Sequence, residues 1–188
     1  MATEFGPSAL ITPANGVTIG RLLAAPALML LVLHYGTSWV TVGAWFVLSS
    51  TDGVDGWLAR RHGTTRSGAF LDPLADKFLV IGAMSALVAN EVFWWLPVAV
   101  IAAREIGISL YRSLLARQGV SAPARPLAKL KTWTQDLAVG AALLPLTEHH
   151  HPRIAIAVLW AAVVLTVLSG AQYVTDRRRL GMARPAHA

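Results

Sequence analysis

The 188-residue sequence contains no cysteine, which excludes disulfides, thiolate metal centres and a cysteine nucleophile. Charge is scarce too. Asp, Glu, Lys and Arg make up 14% of the chain, against roughly 25% in soluble domains. With 55% hydrophobic residues, that balance excludes a solvated globule. Residues Met1 to Pro13 include Glu4 but no basic side chain, so the segment lacks the positive start of a secretory signal.

What the chain has instead is apolar length. A helix needs roughly 20 mostly apolar residues to cross a bilayer, and six such stretches are legible: 17–35, 39–59, 70–90, 93–115, 132–148 and 153–174. Arg21, Asp52, Asp55 and Asp136 interrupt the first, second and fifth. These stretches predict an all-α integral membrane protein with six transmembrane helices. One domain covers 1–188, with an N-terminal segment 1–13 and a basic tail 175–188. Of the 16 Lys and Arg residues, all but Arg153 fall on one side of this arrangement. Cytoplasmic loops hold the excess of such residues, so both termini are expected in the cytoplasm. Trp39, Trp94 and Trp95 fall at span ends on the opposite face, where interfacial aromatics belong. The net charge of +6 gathers beside apolar spans. Its expected partners are therefore membrane lipids and phosphates, not nucleic acid.

Four acids stand out: Asp52, Asp55, Asp72 and Asp76 lie in or beside the second and third spans. A charge at the centre of a span costs roughly 2.5–3.5 kcal/mol on insertion scales, so intramembrane acids mark function. Asp52, Asp55, Gly56 and Ala59 fall within about 100° of one another on a helix, and the two small residues let a ligand approach the backbone. Asp72 and Asp76 are one turn apart on the next helix, and Gly68 joins their face if that helix starts early enough. The short turn from Arg60 to Ser67 makes the two helices antiparallel neighbours and draws both carboxylate pairs together. Oxygen-only ligands select hard cations, so two Mg2+ or Mn2+ ions are the expected occupants. Arg60, Arg66, Arg104, Arg112, Arg125, Lys129 and Lys131 suit phosphate groups. Plainer readings stand beside these: Asp72 before Pro73 as a helix N-cap, and Arg61 as a positive-inside anchor.

The run from Asp52 to Asp76 reads D-x-x-D-G-x-x-A-R, seven residues, then G-x-x-x-D-x-x-x-D. It resembles the signature of the CDP-alcohol phosphotransferases, membrane enzymes of six helices, and the likeness extends over about residues 14 to 145. The resemblance implies that Asp52, Asp55 and Asp72 ligate the metals, with Asp76 a further ligand or the general base. It implies that Gly56, Ala59 and Gly68 line the CDP pocket together with Asp52 and Asp55, and that Arg60 sits close to the phosphates. Asn15–Thr18–Arg21, Ala103–Arg104–Glu105 and Lys129–Leu130–Lys131–Thr132 with Gln135 look like the branch that forms phosphatidylglycerophosphate. In that branch CDP-diacylglycerol and glycerol 3-phosphate are the substrates. Arg104, Arg112, Lys129 and Lys131 would then receive the acceptor phosphate. Ala14, Ala128 and Trp133 depart from that branch's usual proline, glycine and threonine. Relatives using phosphatidylglycerol (to make cardiolipin) or inositol phosphate share much of the pattern. The resemblance also implies a homodimer in a bacterial inner (cell) membrane, with its active site facing the cytoplasm.

A divalent-cation channel is the competing reading, since membrane carboxylates also mark ion paths. The four acids cluster near one face, whereas a path would spread them through the depth. His149–His151 read as a solvated loop, with a zinc site the alternative. Glu105 and Asp136 read equally as ion-pair partners of Arg104 and Lys131 or as catalytic groups. The small-residue spacing of Gly82 and Ala86 permits close helix packing and offers a dimer seam.

Overall fold

The computed structural model describes the backbone over residues 13–62, 66–117, 126–145 and 152–182, and side chains over 15–51, 73–111, 127, 129–145 and 153–172. Over these residues the chain is helical, without strands. The elements are α1 (Pro13–Tyr35), α2 (Trp39–His62), α3 (Arg66–Ala89), α4 (Trp95–Arg117), α5 (Pro126–Leu143) and α6 (Pro152–Met182). Each expected span finds one helix, but the ends differ. Helix α3 begins at Arg66 and α5 at Pro126, both ahead of the apolar stretches, α5 stops at Leu143, and α6 runs on to Met182. Hydropathy marks membrane depth, whereas charged residues extend a helix beyond it without penalty. By length and composition, Asn15–Tyr35 and Arg153–Gln172 are apolar enough to cross a membrane, and Trp39–Thr51 is apolar but shorter.

Helix α1 buries Asn15, Thr18, Arg21, Ala25, Leu28 and Val32. The steps of three and four residues place them on one stripe. That stripe packs against α3 and α2. Helix α3 is covered on several sides, with Ala75, Leu79, Ala83, Met84, Ala86 and Leu87 in the core. Arg21 meets Asp76, Met29 meets Gly82, and Val32 meets Asn90. Both chains ascend through these pairs, so α1 and α3 run parallel. Antiparallel pairs surround them: Lys77 with Ser109 for α3 and α4, Gln135 with Thr166 for α5 and α6. Outward, Leu23, Leu30, Phe46, Val47, Leu110, Leu137 and Val164 are exposed. An apolar surface of that extent fits hydrocarbon, not water. Trp39, Trp94 and Trp95 are also exposed and stand at the starts of α2 and α4, as the sequence predicts.

Two sequence readings are corrected. Asp72 is not an N-cap, because Pro73 lies inside α3, which begins two turns earlier at Arg66. Proline is tolerated there at the cost of one ladder hydrogen bond. The Gly82–Ala86 seam is occupied within the chain: a Cβ on Gly82 would lie 2.8 Å from the Met29 sulfur, and Ala86 is buried. It therefore offers no surface to a second copy. Gly82→Ala is expected to cost about 1 kcal/mol, since Met29 can turn aside, and Gly82→Leu about 3 kcal/mol. Thermal unfolding in detergent measures both; an unshifted transition for Gly82→Leu would show that α1 and α3 do not close on this residue.

The ends of these helices are tied by local chemistry. Gly36 adopts φ 58 after α1, and its N–H donates to the Val32 carbonyl at 2.8 Å. Asn90 at the end of α3 donates a second hydrogen bond to that carbonyl at 2.7 Å. Ser38 and Thr41 exchange side-chain and backbone bonds at 3.0 and 3.2 Å across the start of α2. That is a reciprocal cap on otherwise orphaned N–H groups.

Candidate active site

Arg21 is the largest fully buried side chain of the described residues. A guanidinium in that position demands a counter-charge, since an unpaired buried ion costs several kcal/mol. It finds one in Asp76, to which Nη1 donates, and its Nε donates to Thr51 Oγ1 at 3.2 Å. Thr51 in turn donates to the Leu48 carbonyl at 2.6 Å. One α1 side chain thus fastens α2 and α3 together. Asp76 keeps 35% of its side chain exposed, and it opens on a cleft. Arg21, Ser49, Thr132 and Asp136 line the same cleft, above apolar residues of α2 and α3. Four helices, α1, α2, α3 and α5, therefore meet at this carboxylate.

The sequence makes α2 and α3 direct neighbours. Among the described residues, however, their extensive packing is with α1, which lies against both. Arg21 explains this, because its two hydrogen-bonding faces reach both helices at once.

Asp52, Asp55, Gly56, Ala59 and Arg60 all fall in the last three turns of α2, so the helical spacing assumed for them holds. Gly68 and Asp72 fall in the first turns of α3, two turns and one turn before Asp76 and on its face. Their side chains, and that of Arg112, lie outside the described residues, as do His149–His151 altogether. Among the described residues no three potential ligands gather into a metal site.

A second polar cluster lies on the far side of α5. Glu105 is buried and accepts from both Lys131 and Arg104, the latter at 3.1 Å. Arg104 also donates to Ser169 of α6 at 2.8 Å, and its Nε has no partner among the described residues. Lys77 donates to Ser109, whose hydroxyl donates to the Glu105 carbonyl at 2.7 Å. The four candidate acceptor cations thus separate. Lys131 and Arg104 are held by Glu105, Lys129 is exposed on α5, and Arg112 belongs to the undescribed side chains.

Sequence reasoning gave Arg21 no role at the site, naming it only as an interruption of the first span, a cation of the basic side and part of the Asn15–Thr18–Arg21 resemblance, and it left Asp136 open between an ion-pair partner and a catalytic group. A signal for Arg21 was available. Asn15, Thr18 and Arg21 recur every three residues inside an apolar helix, which marks a polar stripe that must be buried against something.

The match to known proteins agrees with this arrangement. The family model described as CDP-alcohol phosphatidyltransferase matches residues 11–168, further than the likeness read from motifs, since it includes most of α6. A Mycobacterium tuberculosis protein named "Probable phosphatidylglycerophosphate synthase" is 39% identical over 182 residues, covering 93% of this chain and 85% of its own length. A Bacillus subtilis protein named CDP-diacylglycerol–glycerol-3-phosphate 3-phosphatidyltransferase is 37% identical, covering 85% of this chain and 91% of itself. Its Escherichia coli namesake is 38% identical, with 86% and 92% covered. With four-fifths of its length matched and the last aspartate of the motif opening on a shared cleft, the chain belongs to the CDP-alcohol phosphatidyltransferase family.

Proposed function

We propose that the protein transfers the phosphatidyl group of CDP-diacylglycerol to glycerol 3-phosphate, giving phosphatidylglycerophosphate and CMP. The observation that carries this reading is Asp76, held by Arg21 and open to a cleft bordered by four helices. The relatives named for this reaction supply the acceptor. In the step itself, the primary hydroxyl oxygen of glycerol 3-phosphate attacks the lipid-linked phosphorus. The bond from that phosphorus to the bridging oxygen breaks, CMP departs with the bond's electron pair, and the hydroxyl proton passes to Asp76. Such a transfer needs positioning and charge neutralisation more than covalent help from the protein.

The donor set suits a hard divalent cation, because every candidate ligand is a carboxylate oxygen and Asp76 faces the cleft. Asp52, Asp55, Asp72 and Asp76 would hold Mg2+ or Mn2+, in a two-ion site. The metal would supply charge neutralisation to the pyrophosphate. Asp52, Asp55, Gly56, Ala59, Arg60 and Gly68 would bind the CDP moiety. The basic side of the chain and the parallel course of α1 and α3 support six membrane spans with both termini in the cytoplasm. Arg21, Lys77, Arg104 and Lys131 then share the cytoplasmic half of a bacterial inner-membrane protein. A homodimer would meet through exposed faces, since Gly82 and Ala86 are already used.

The test is CMP release from CDP-diacylglycerol by purified protein in detergent, with glycerol 3-phosphate, phosphatidylglycerol and inositol phosphate offered singly. Release that requires glycerol 3-phosphate and a divalent cation is expected. Release with another acceptor only would retain the family and refute the acceptor. Cation conduction in proteoliposomes without CMP release would favour the channel.

A further inference from the structure

Helix α5 carries polar residues on two sides. Lys131 and Gln135 turn into the bundle, toward Glu105 of α4 and Thr166 of α6. At 100° per residue, Lys129, Thr132 and Asp136 fall within about 60° of one another on a different flank. Thr132 and Asp136 line the cleft that holds Asp76 and Arg21. Lys129 is exposed one turn after the start of α5, roughly 10 Å along the axis from Asp136. The flank therefore runs from a cation at the helix start to an acid beside the candidate base.

We infer that Asp136 is a specificity-determining residue for the acceptor, accepting a hydrogen bond from a second hydroxyl of a small phosphorylated polyol. The inference rests on the acceptor reading proposed above and adds to it a residue and an orientation. An ionised carboxylate only accepts hydrogen bonds, so it pairs with a hydroxyl and repels a phosphate. With Asp76 and Asp136 both lining the cleft and Lys129 on the same flank nearer the start of α5, the acceptor's anionic group is directed toward Lys129 and its hydroxyls toward the two acids. The primary hydroxyl then meets Asp76, and the neighbouring secondary hydroxyl meets Asp136. No part of the signature from Asp52 to Asp76 requires an acid on α5. The cleft alone brings it to the site.

The experiment compares glycerol 3-phosphate with 3-hydroxypropyl phosphate, which lacks only the secondary hydroxyl, in CMP release by the full-length protein in detergent. Wild type is expected to favour glycerol 3-phosphate in kcat/KM by roughly ten- to a hundredfold, the worth of a hydrogen bond to a charged group. Asp136→Ala is expected to bring the two acceptors within about threefold, while KM for CDP-diacylglycerol and the half-saturating metal concentration move less than about twofold. Asp136→Asn keeps one accepting oxygen and should show an intermediate preference. It also keeps the test readable if alanine unfolds the protein. A full wild-type preference in either variant overturns the assignment. So does a change confined to the metal requirement, which would make Asp136 a cation ligand. Wild-type protein that rejects glycerol 3-phosphate and uses another alcohol refutes the acceptor reading first, before any variant is made.

Discussion

Asp76→Asn is expected to lower kcat for CMP release by about 10²- to 10⁴-fold, the usual contribution of a positioned general base. Asparagine preserves the shape and can still accept from Arg21, but it neither takes the hydroxyl proton nor offers a charged ligand. The loss should fall on kcat more than on KM for glycerol 3-phosphate, because the missing interaction belongs to the transition state. Arg21 complicates the experiment. Its guanidinium is buried with Asp76 as a counter-charge, so the variant is also expected to unfold earlier. Activity is therefore compared at a temperature where unfolding scans show both proteins native. Turnover within about threefold of wild type would move the base elsewhere, since a base contributes at least about a hundredfold.

The largest loss of stability is expected at a residue outside the reaction. Glu105→Ala leaves Lys131 and Arg104 facing each other in the bundle with no anion between them. Glu105 is 5% exposed and Lys131 4%, so water cannot replace the lost partner. Breaking a buried pair from one side costs about 3–5 kcal/mol. Glu105→Leu combined with Lys131→Met should recover much of this, because apolar replacement of both members removes the buried charges together. Arg104 would still hold Ser169. Unfolding in one detergent, with the double variant alongside, measures the difference. A shift of less than about 1 kcal/mol for Glu105→Ala would mean that the pair is solvated in practice.

The number of helices among the described residues and the run of four aspartates were legible in the sequence, because each is written locally. Hydropathy reports apolar length, and three- and four-residue steps report a shared face. Partners across the bundle are not written that way. Arg21 and Asp76 are 55 residues apart, and Glu105 and Lys131 are 26 apart. Periodicity gives each residue a face but does not say which helix covers that face. Two lysines separated by one residue, Lys129 and Lys131, look equivalent as a motif. On a helix that spacing turns them about 160° apart, which exposes one and buries the other against Glu105. Helix ends were misread for a different reason. Arg66 and Pro126 begin helices in polar sequence, where hydropathy has nothing to report.

The pairing of α1 with α3 has a mechanical side. Arg21 pins them at one end and Asn90 at the other, through the Val32 carbonyl. From Asp76 to Asn90 the rise of an α-helix gives a lever of about 20 Å. Slippage of about 1 Å at the far pin tilts such a lever by about 3°, so the carboxylate's alignment is set partly by an amide at the opposite end of the helix. The loop that follows α1, with Gly36 in its left-handed turn, is in this sense the fulcrum against which the Asp76 end is trued.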